Sequence, residues 1–230
     1  MNTMAHIGTA AVRSPTARRR SSRAGARRPV ATPRLFDVGV AASALVFLMP
    51  LFLVIIACIR ISDGGPAFFS HRRLGKGGLM FGCLKFRTMV TDADVRLAAL
   101  LQRDLGARRE WEATQKLTHD PRVTPLGRFL RASSLDELPQ LINVLRGEMS
   151  LVGPRPIVAA EKPFYGRRFE AYARVRPGIS GLWQISGRSD TSYRRRVACD
   201  VVYVRRQGFL TDLQVLLLTI PAVLAARGAR

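Results

Sequence analysis

The dominant feature of the polarity pattern is one apolar run, Val38–Ile59, 22 residues without a charge, bounded by Asp37 and Arg60. About 20 apolar residues reach across the hydrocarbon core of a bilayer, so the run predicts a membrane segment. Pro50, near its middle, removes a helix hydrogen bond and crowds the preceding turn. Membrane helices accommodate such kinks, so the proline alone decides little. The flanks say more. The chain before the run is strongly basic, and Arg60 to Arg87 holds Arg72, Arg73, Lys76 and Lys85 against the single acid Asp63. Positive charge marks the cytoplasmic side of a membrane segment. Both flanks therefore point to one side, which a straight crossing does not satisfy. A re-entrant hairpin broken at Pro50 does, and it is the predicted form.

Weaker periodicities follow. Leu97, Leu101 and Leu105 recur at four-residue spacing and predict helix over 91–117. Thr124-Pro125 is a cap-then-proline helix start. Leu135, Leu138, Ile142 and Leu145 predict an apolar face over 135–146. Residues 192–206 predict a basic amphipathic helix with Val197, Val201 and Val204 on its apolar side. Val215–Ala226 is nearly all apolar but, at 12 residues, too short to span; it suits a core or interfacial helix. The best strand signal is Gly78–Phe86. The predicted fold class is mainly α with a few short strands (α+β), as a monotopic membrane protein. It divides into a disordered basic arm (1–34), a re-entrant membrane helix (35–60) and a catalytic domain facing the cytoplasm (61–230) with amphipathic interfacial helices.

Charge sharpens this outline. The arm carries eight arginines and no acid among Ser, Ala, Thr and Pro, too little apolar surface to fold alone. The whole chain has 37 Lys+Arg against 16 Asp+Glu, a net charge of +21. Such a balance points to an anionic partner: nucleic acid, an acidic membrane surface or phosphorylated substrates. Beside an apolar segment, an arm lying on anionic lipid is favoured over a nucleic-acid arm. Three scattered cysteines, Cys58, Cys83 and Cys199, fit neither a disulfide framework nor a zinc site. His6, His71 and His119 are equally scattered.

The densest chemistry lies in Ser133–Pro156, SSLDELPQLINVLRGEMSLVGPRP. Asp136 and Glu137 stand at a predicted helix start, supported by Pro139, where the helix dipole favours ionised acids. Ser134 and Glu137 also have capping-box spacing, so the pair has an ordinary structural reading. The surrounding cations favour a chemical one. Arg131 precedes the pair, Arg155 sits in a Gly153-Pro154-Arg155-Pro156 turn, Arg176 and Arg188 flank RPGISGLWQISGR, and Lys85 and Arg87 lie in KFRTM. Arginines on rigid turns grip phosphate oxygens bidentately. Two acids among them are candidate ligands for Mg2+, which prefers oxygen ligands and substrate phosphates.

KFRTM, DPRVTPLGRFLRASSLDELPQLINVLRGEMSLVGPRP and RPGISGLWQISGR together resemble the bacterial sugar transferase family, the monotopic polyprenyl-phosphate phosphoglycosyl transferases, over roughly residues 35–230. The stretch from RSDTSYRRRVACDVVYVRR to the end is most similar to the exopolysaccharide branch. The resemblance implies transfer of a sugar-1-phosphate, galactose-1-phosphate in that branch, from a UDP-sugar to undecaprenyl phosphate at the inner membrane, with UMP released. By its motifs, Asp136 matches the nucleophile, Glu137 an acid that aids metal placement and proton transfer, and Arg131 the arginine that steadies the pair. Lys85, Arg155 and Arg188 match the substrate phosphate site, and Pro50 the helix-breaking proline. Mg2+ is the implied cofactor and inner-membrane lipid the surroundings. Nucleic acid is not an expected partner, and a homodimer is one option for assembly. Met49 replaces a frequent serine before the proline, and Ser70-His71-Arg72 replaces a Gln-Glu-Arg pattern. A catalytically inactive scaffold, or a tether binding anionic lipid or nucleic acid, is the competing class; it gives no reason for Asp136 or for the GPRP and SGR loops.

Overall fold

The apolar run forms α1, Arg34–Asp63, a single 30-residue helix whose geometry continues through Pro50. The computed structural model describes residues 32–186 and 192–224, so most of the basic arm and Arg188 lie outside the described residues. By length and composition α1 is able to cross a membrane. One face nevertheless lies along the rest of the chain. Asp37, Ala41, Phe52, Ile55 and Ile59 are buried at helical spacing, with Leu45 and Leu48 partly buried between them. The opposite face exposes Val46, Phe47, Leu53 and Val54. A helix apolar all round is thus divided between a protein-packed stripe and an unpacked one.

An antiparallel hairpin follows, β1 (Phe68–Leu74) with β2 (Met80–Phe86), in a register that sets Phe68 opposite Phe86 and Leu74 opposite Met80. Phe86 is buried against Phe52 of α1, ring centroids 5.1 Å apart. The strand signal at Gly78–Phe86 corresponds to β2, and its partner β1 carries no comparable signal. Helix predicted over 91–117 divides into α2 (Ala93–Arg103) and α3 (Leu105–Thr114). Asp104 is extended between them, and its carboxylate accepts the amides of Gly106 and Ala107, starting a new helix. Thr124 caps α4 (Pro125–Ala132) as the Thr-Pro signal predicts, its hydroxyl accepting the Gly127 amide at 2.9 Å.

The 135–146 stretch is not one helix. Leu135–Glu137 is a single 3-10 turn, and α5 (Gln140–Arg146) begins after Pro139. Its buried side chains are Gln140, Leu141, Asn143 and Val144, while Leu145 is exposed. The predicted face is corrected because α1 and β2 both pack on α5, one from each side of the Asn143–Val144 ridge. β3 (Ser150–Val152) then runs parallel to β4 (Gly178–Ser180), with the short helices α6 (Lys162–Tyr165) and α7 (Phe169–Tyr172) between them. The pair is held so closely that a Cβ on Gly178 would stand 2.0 Å from the Gly153 amide nitrogen. Only hydrogen fits there.

Short α8 (Leu182–Ile185), α9 (Tyr193–Arg206) and α10 (Phe209–Leu224) complete the described chain. α9 buries Val197, Asp200 and Tyr203. α10 starts six residues before the apolar run that predicts it. It buries Val215 and exposes Leu217, Leu218 and Ile220. Its base is tied down by Asp212, which accepts hydrogen bonds from Tyr203 (2.8 Å) and Thr32. Asp37 binds the start of α1 to β3, accepting from Ser150 Oγ at 2.6 Å and from the Leu151 amide. The described chain is mostly helical with a few short strands, the predicted class.

Candidate active site

The site is built on the end of β2. Asn143, with no exposed surface, clamps that strand to α5. Its Oδ1 accepts the Leu84 amide at 2.9 Å, and its Nδ2 donates to Gly82 O at 2.7 Å and to Glu148 at 2.6 Å. A buried side-chain amide with all its partners in place is a rigid joint. The next residue along the strand is Lys85, which it aims at the 3-10 turn carrying the two acids.

That turn owes its shape to Ser134, which adopts a left-handed conformation (φ 59°). The Ser134 carbonyl accepts the Glu137 amide, and its hydroxyl caps nothing, so the capping box is not formed. Asp136 and Glu137 therefore stand on a turn ahead of α5 rather than in its first turn. Their counter-charge is Lys85: Nζ lies 3.1 Å from Asp136 Oδ2 and 2.7 Å from Glu137 Oε1. Asp136 is buried and Glu137 half-buried.

The balance between burial and neighbouring charge sets the two acids apart. Burial pushes the Asp136 carboxyl above its ordinary pKa, with Lys85 and Arg131 pulling the other way and falling short. Burial also acts upward on Glu137, but there Lys85, Arg155 and Arg73 outweigh it and the carboxyl is held low. Lys85 itself is raised: burial opposes its charge, and the two carboxylates more than offset that. Neighbouring acids with opposite shifts, one desolvated and one held ionised, are a common active-site arrangement. The helix-terminus argument for two freely ionised acids is replaced by this ammonium bridge.

The other predicted cations separate into groups. Arg131 donates from Nε to Thr88 Oγ1 at 2.9 Å, and its charge acts on Asp136. Arg155 leaves the β3 turn with its guanidinium 5.3 Å from the Trp183 ring centroid, and its field reaches Glu137. Arg87 turns away to pair with Asp63 at the end of α1. Arg176 donates to Gly147 O at 2.7 Å, beside Arg34 at the far end of α5. These two fasten the scaffold. Arg188 lies outside the described residues.

Nothing in the linear pattern singles out Asn143, Arg73, Trp183, Arg196 or Asp200 as site residues. Arg73 on β1 holds Glu161 at 3.8 Å and Pro156 O at 3.3 Å, which places its charge near Glu137. Asp200 of α9 accepts the Tyr165 hydroxyl at 2.6 Å and lies near the Arg155 backbone. Burial lifts its carboxyl to about 7. The available signal was positional: Trp183 stands inside RPGISGLWQISGR, and Asp200 is an acid on the apolar side of a basic helix.

Among the described residues no three His, Cys, Asp or Glu side chains form a metal-binding group. The two acids fit a looser demand. Asp136 Oδ2 and Glu137 Oε1 converge on one cation already, and Mg2+ characteristically takes one or two carboxylates and completes its shell with water and substrate phosphate. Chemically the cluster offers a desolvated carboxylate, an adjacent ionised one, and the charge of three cations, Lys85, Arg131 and Arg155, acting on them.

The chain is similar to known proteins over most of its length. The exopolysaccharide production protein ExoY of Sinorhizobium fredii is 51% identical over 207 residues, 89% of this chain and 92% of that protein. The undecaprenyl-phosphate galactose phosphotransferase of Salmonella typhimurium is 45% identical over 196 residues, 85% of this chain and 41% of that protein. The UDP-glucose:undecaprenyl-phosphate glucose-1-phosphate transferase of Caulobacter vibrioides is 40% identical over 204 residues, covering 85% of this chain and 71% of that protein. The profile of the bacterial sugar transferase family matches residues 29–226, which include α1, the acid pair and the Trp183 loop. The chain is an enzyme of the bacterial sugar transferase family.

Proposed function

We propose that the chain transfers a sugar-1-phosphate from a UDP-sugar to undecaprenyl phosphate as the first step of exopolysaccharide assembly, with Asp136 as a covalent nucleophile. The observation that carries this is the acid pair: a buried carboxylate bridged by Lys85 to an ionised neighbour, with guanidinium charge beside both. In the first half-reaction Asp136 Oδ attacks the β-phosphorus. The bond from that phosphorus to the bridging oxygen breaks, and the oxygen leaves with its electron pair on UMP. The sugar phosphate remains on Asp136 as a mixed anhydride until the lipid phosphate attacks the same phosphorus and frees the carboxylate. Two such steps replace one difficult displacement. Lys85, Arg131 and Arg155 balance charge on the phosphoryl oxygens, which is most of what phosphoryl transfer requires of a protein.

Asp136 and Glu137 are the residues that would hold Mg2+, which would add further charge neutralisation on the donor diphosphate. Galactose-1-phosphate is the proposed group. The names of the Salmonella relative and of a Streptococcus agalactiae galactosyl transferase, 39% identical over 199 residues, support it. The Caulobacter relative makes glucose the nearest competitor. The proposed setting is the inner membrane, with the site facing the cytoplasm.

A half-reaction tests this reading. Wild-type enzyme given UDP-galactose without lipid is expected to release up to one equivalent of UMP and to carry labelled sugar phosphate; Asp136→Asn, equally folded, releases none. UDP as the product would refute the reaction class. UMP formed only in the presence of lipid, with no labelled enzyme, would make Asp136 a metal ligand in a direct transfer. A strong preference for N-acetylated UDP-sugars would overturn the galactose assignment.

A further inference from the structure

The hairpin face that carries Lys85 also carries an imidazole. Side chains alternate along a strand, and residues paired across an antiparallel ladder share a face. The register pairs Phe69 with Lys85, His71 with Cys83 and Arg73 with Phe81, so Phe69, His71 and Arg73 lie on the Lys85 side. His71 stands between two cations there. Lys85 is its diagonal neighbour, about 7–8 Å away by the geometry of such ladders. Arg73 donates from Nη2 to His71 Nδ1 at 3.0 Å. A guanidinium has no acceptor, so this bond fixes the tautomer: Nδ1 is bare and the proton is on Nε2. Burial lowers the pKa of the ring, and the charges of Arg73 and Lys85 act the same way, which favours the neutral form. Arg73 is itself anchored, by Glu161 at 3.8 Å and Pro156 O at 3.3 Å, so the ring is held in its orientation.

The other ring nitrogen is open. Among the described residues Nε2 has no hydrogen-bond partner, and it is not one of the buried unpaired atoms. Phe69, directly opposite Lys85, is 53% exposed, so the face opens to solvent at the end where the acid pair lies. The tie to that pair is direct, because Lys85 Nζ lies 3.1 Å from Asp136 Oδ2 and 2.7 Å from Glu137 Oε1. The face thus presents one neutral N–H of fixed direction beside a cation of the site. Its complement is an acceptor oxygen on an anionic group. We propose that His71 is a substrate-binding residue whose Nε2–H donates to an oxygen of the sugar phosphate under transfer, on the phosphoryl group or on the sugar. This inference rests on the transferase reading above for the identity of its ligand. A neutral donor adds direction without adding positive charge, so it discriminates among oxygens by their position.

Binding to the full Asp136→Asn chain, in which the proposed nucleophile is absent and the donor stays intact, tests the contact. Calorimetry with UDP-galactose, UDP-glucose and UMP supplies the readout. In that parent, His71→Asn keeps an acceptor oxygen for Arg73 but withdraws the far donor, whereas His71→Gln reaches far enough to keep one. Losing one hydrogen bond to a charged ligand corresponds to about tenfold in affinity. His71→Asn is expected to weaken UDP-galactose by about that factor and to leave UMP, which lacks the transferred group, unchanged. His71→Gln is expected to retain most of the affinity. Equal loss for both UDP-sugars places the contact on the phosphoryl group, and loss for one of them places it on a sugar hydroxyl. If His71→Asn melts early, His71→Phe, which keeps the ring and removes both nitrogens, is read in its place. Retention by His71→Asn with loss in His71→Gln would make His71 a support for Arg73 and overturn the contact. So would a loss that UMP shares, or undiminished UDP-sugar binding in folded His71→Asn and His71→Phe. A parent that binds neither UDP-sugar would remove the transferase reading and this contact with it. A parent that binds them while its His71 variants do not differ would remove the contact alone.

Discussion

Lys85 and the two acids form a three-charge unit whose members are understood only together. Asp136 alone, buried on its turn, would be driven toward the neutral acid. The ammonium bridge opposes that shift and favours the carboxylate in a desolvated place. Replacing Lys85 by methionine keeps the stem and removes the charge. Both carboxyl pKa values then rise, because Lys85 lowers each of them. In the proposed mechanism the ionised form attacks, so the acidic limb of the kcat/KM profile is expected to move to higher pH. The plateau is expected to fall by about 10²-fold, the usual cost of one electrostatic contact to a transition state. A pH-rate profile of UMP release checks both, and an unmoved limb would separate Lys85 from the acids. Arg87 and Arg176 are the contrast. Their motifs look like phosphate ligands, yet Asp63 and the Gly147 carbonyl occupy them. Charge type and local sequence do not reveal where an arginine's partner lies.

Among the elements, the parallel pair β3–β4 does more than its three-residue strands suggest. Gly153 donates to Ser180 O and Gly178 to Pro154 O, both within 2.8–2.9 Å, so the GPRP turn and the RPGISG turn are laid side by side. Arg155 leaves one turn and Trp183 follows the other, which is how the two meet. A methyl group at position 178 would stand 2.0 Å from Gly153 N and 2.5 Å from Ser180 O. Gly178→Ala is therefore expected to lower stability by about 1–3 kcal/mol, the usual cost of overpacking. It is also expected to depress UMP release more than the stability loss explains, by parting Arg155 from the acid pair. Thermal melting and the half-reaction measured on one preparation test this. A mutant of wild-type stability would show the contact to be easily relaxed.

For the whole molecule the question is how α1 meets the bilayer. Both halves of the helix rest on one body: Ala41 packs with Val144 and Met149, and Ile55 and Ile59 pack with Phe86 and Leu130. A helix that left the domain to cross a bilayer would be free of it over about 30 Å; this one returns to the domain at its end, where Asp63 meets Arg87. Its outward face and the outward face of α10 are both apolar, with Phe47, Leu53, Leu217 and Leu218 exposed. Under the proposed topology both flanks lie on the cytoplasmic side, although α1 is not broken at Pro50 as the sequence predicts. Cysteines placed singly at Ser14 and Ser70, with Cys58, Cys83 and Cys199 removed, are expected to resist an impermeant thiol reagent on intact cells and to react after lysis. Labelling of one site alone on intact cells would mean a straight crossing.

How much was legible in the chain follows from the range of each interaction. The apolar run, the Thr124 cap, β2, α9 and the mainly helical class come from local pattern, and the acid pair stands out because its neighbours in sequence are also its chemistry. Local pattern misplaces what distant contacts govern. The Asp104 cap splits a helix that leucine spacing joins. The buried face of α5 follows Asn143 and Val144, because β2 and α1 press there, rather than the leucines that spacing suggests. The sorting of cations into site and scaffold, and the meeting of Arg155, Trp183 and Arg196, needed the packed chain. Those side chains come from separate segments and touch only where the β3–β4 pair and α9 bring their backbones together, so no spacing in the sequence encodes their distance.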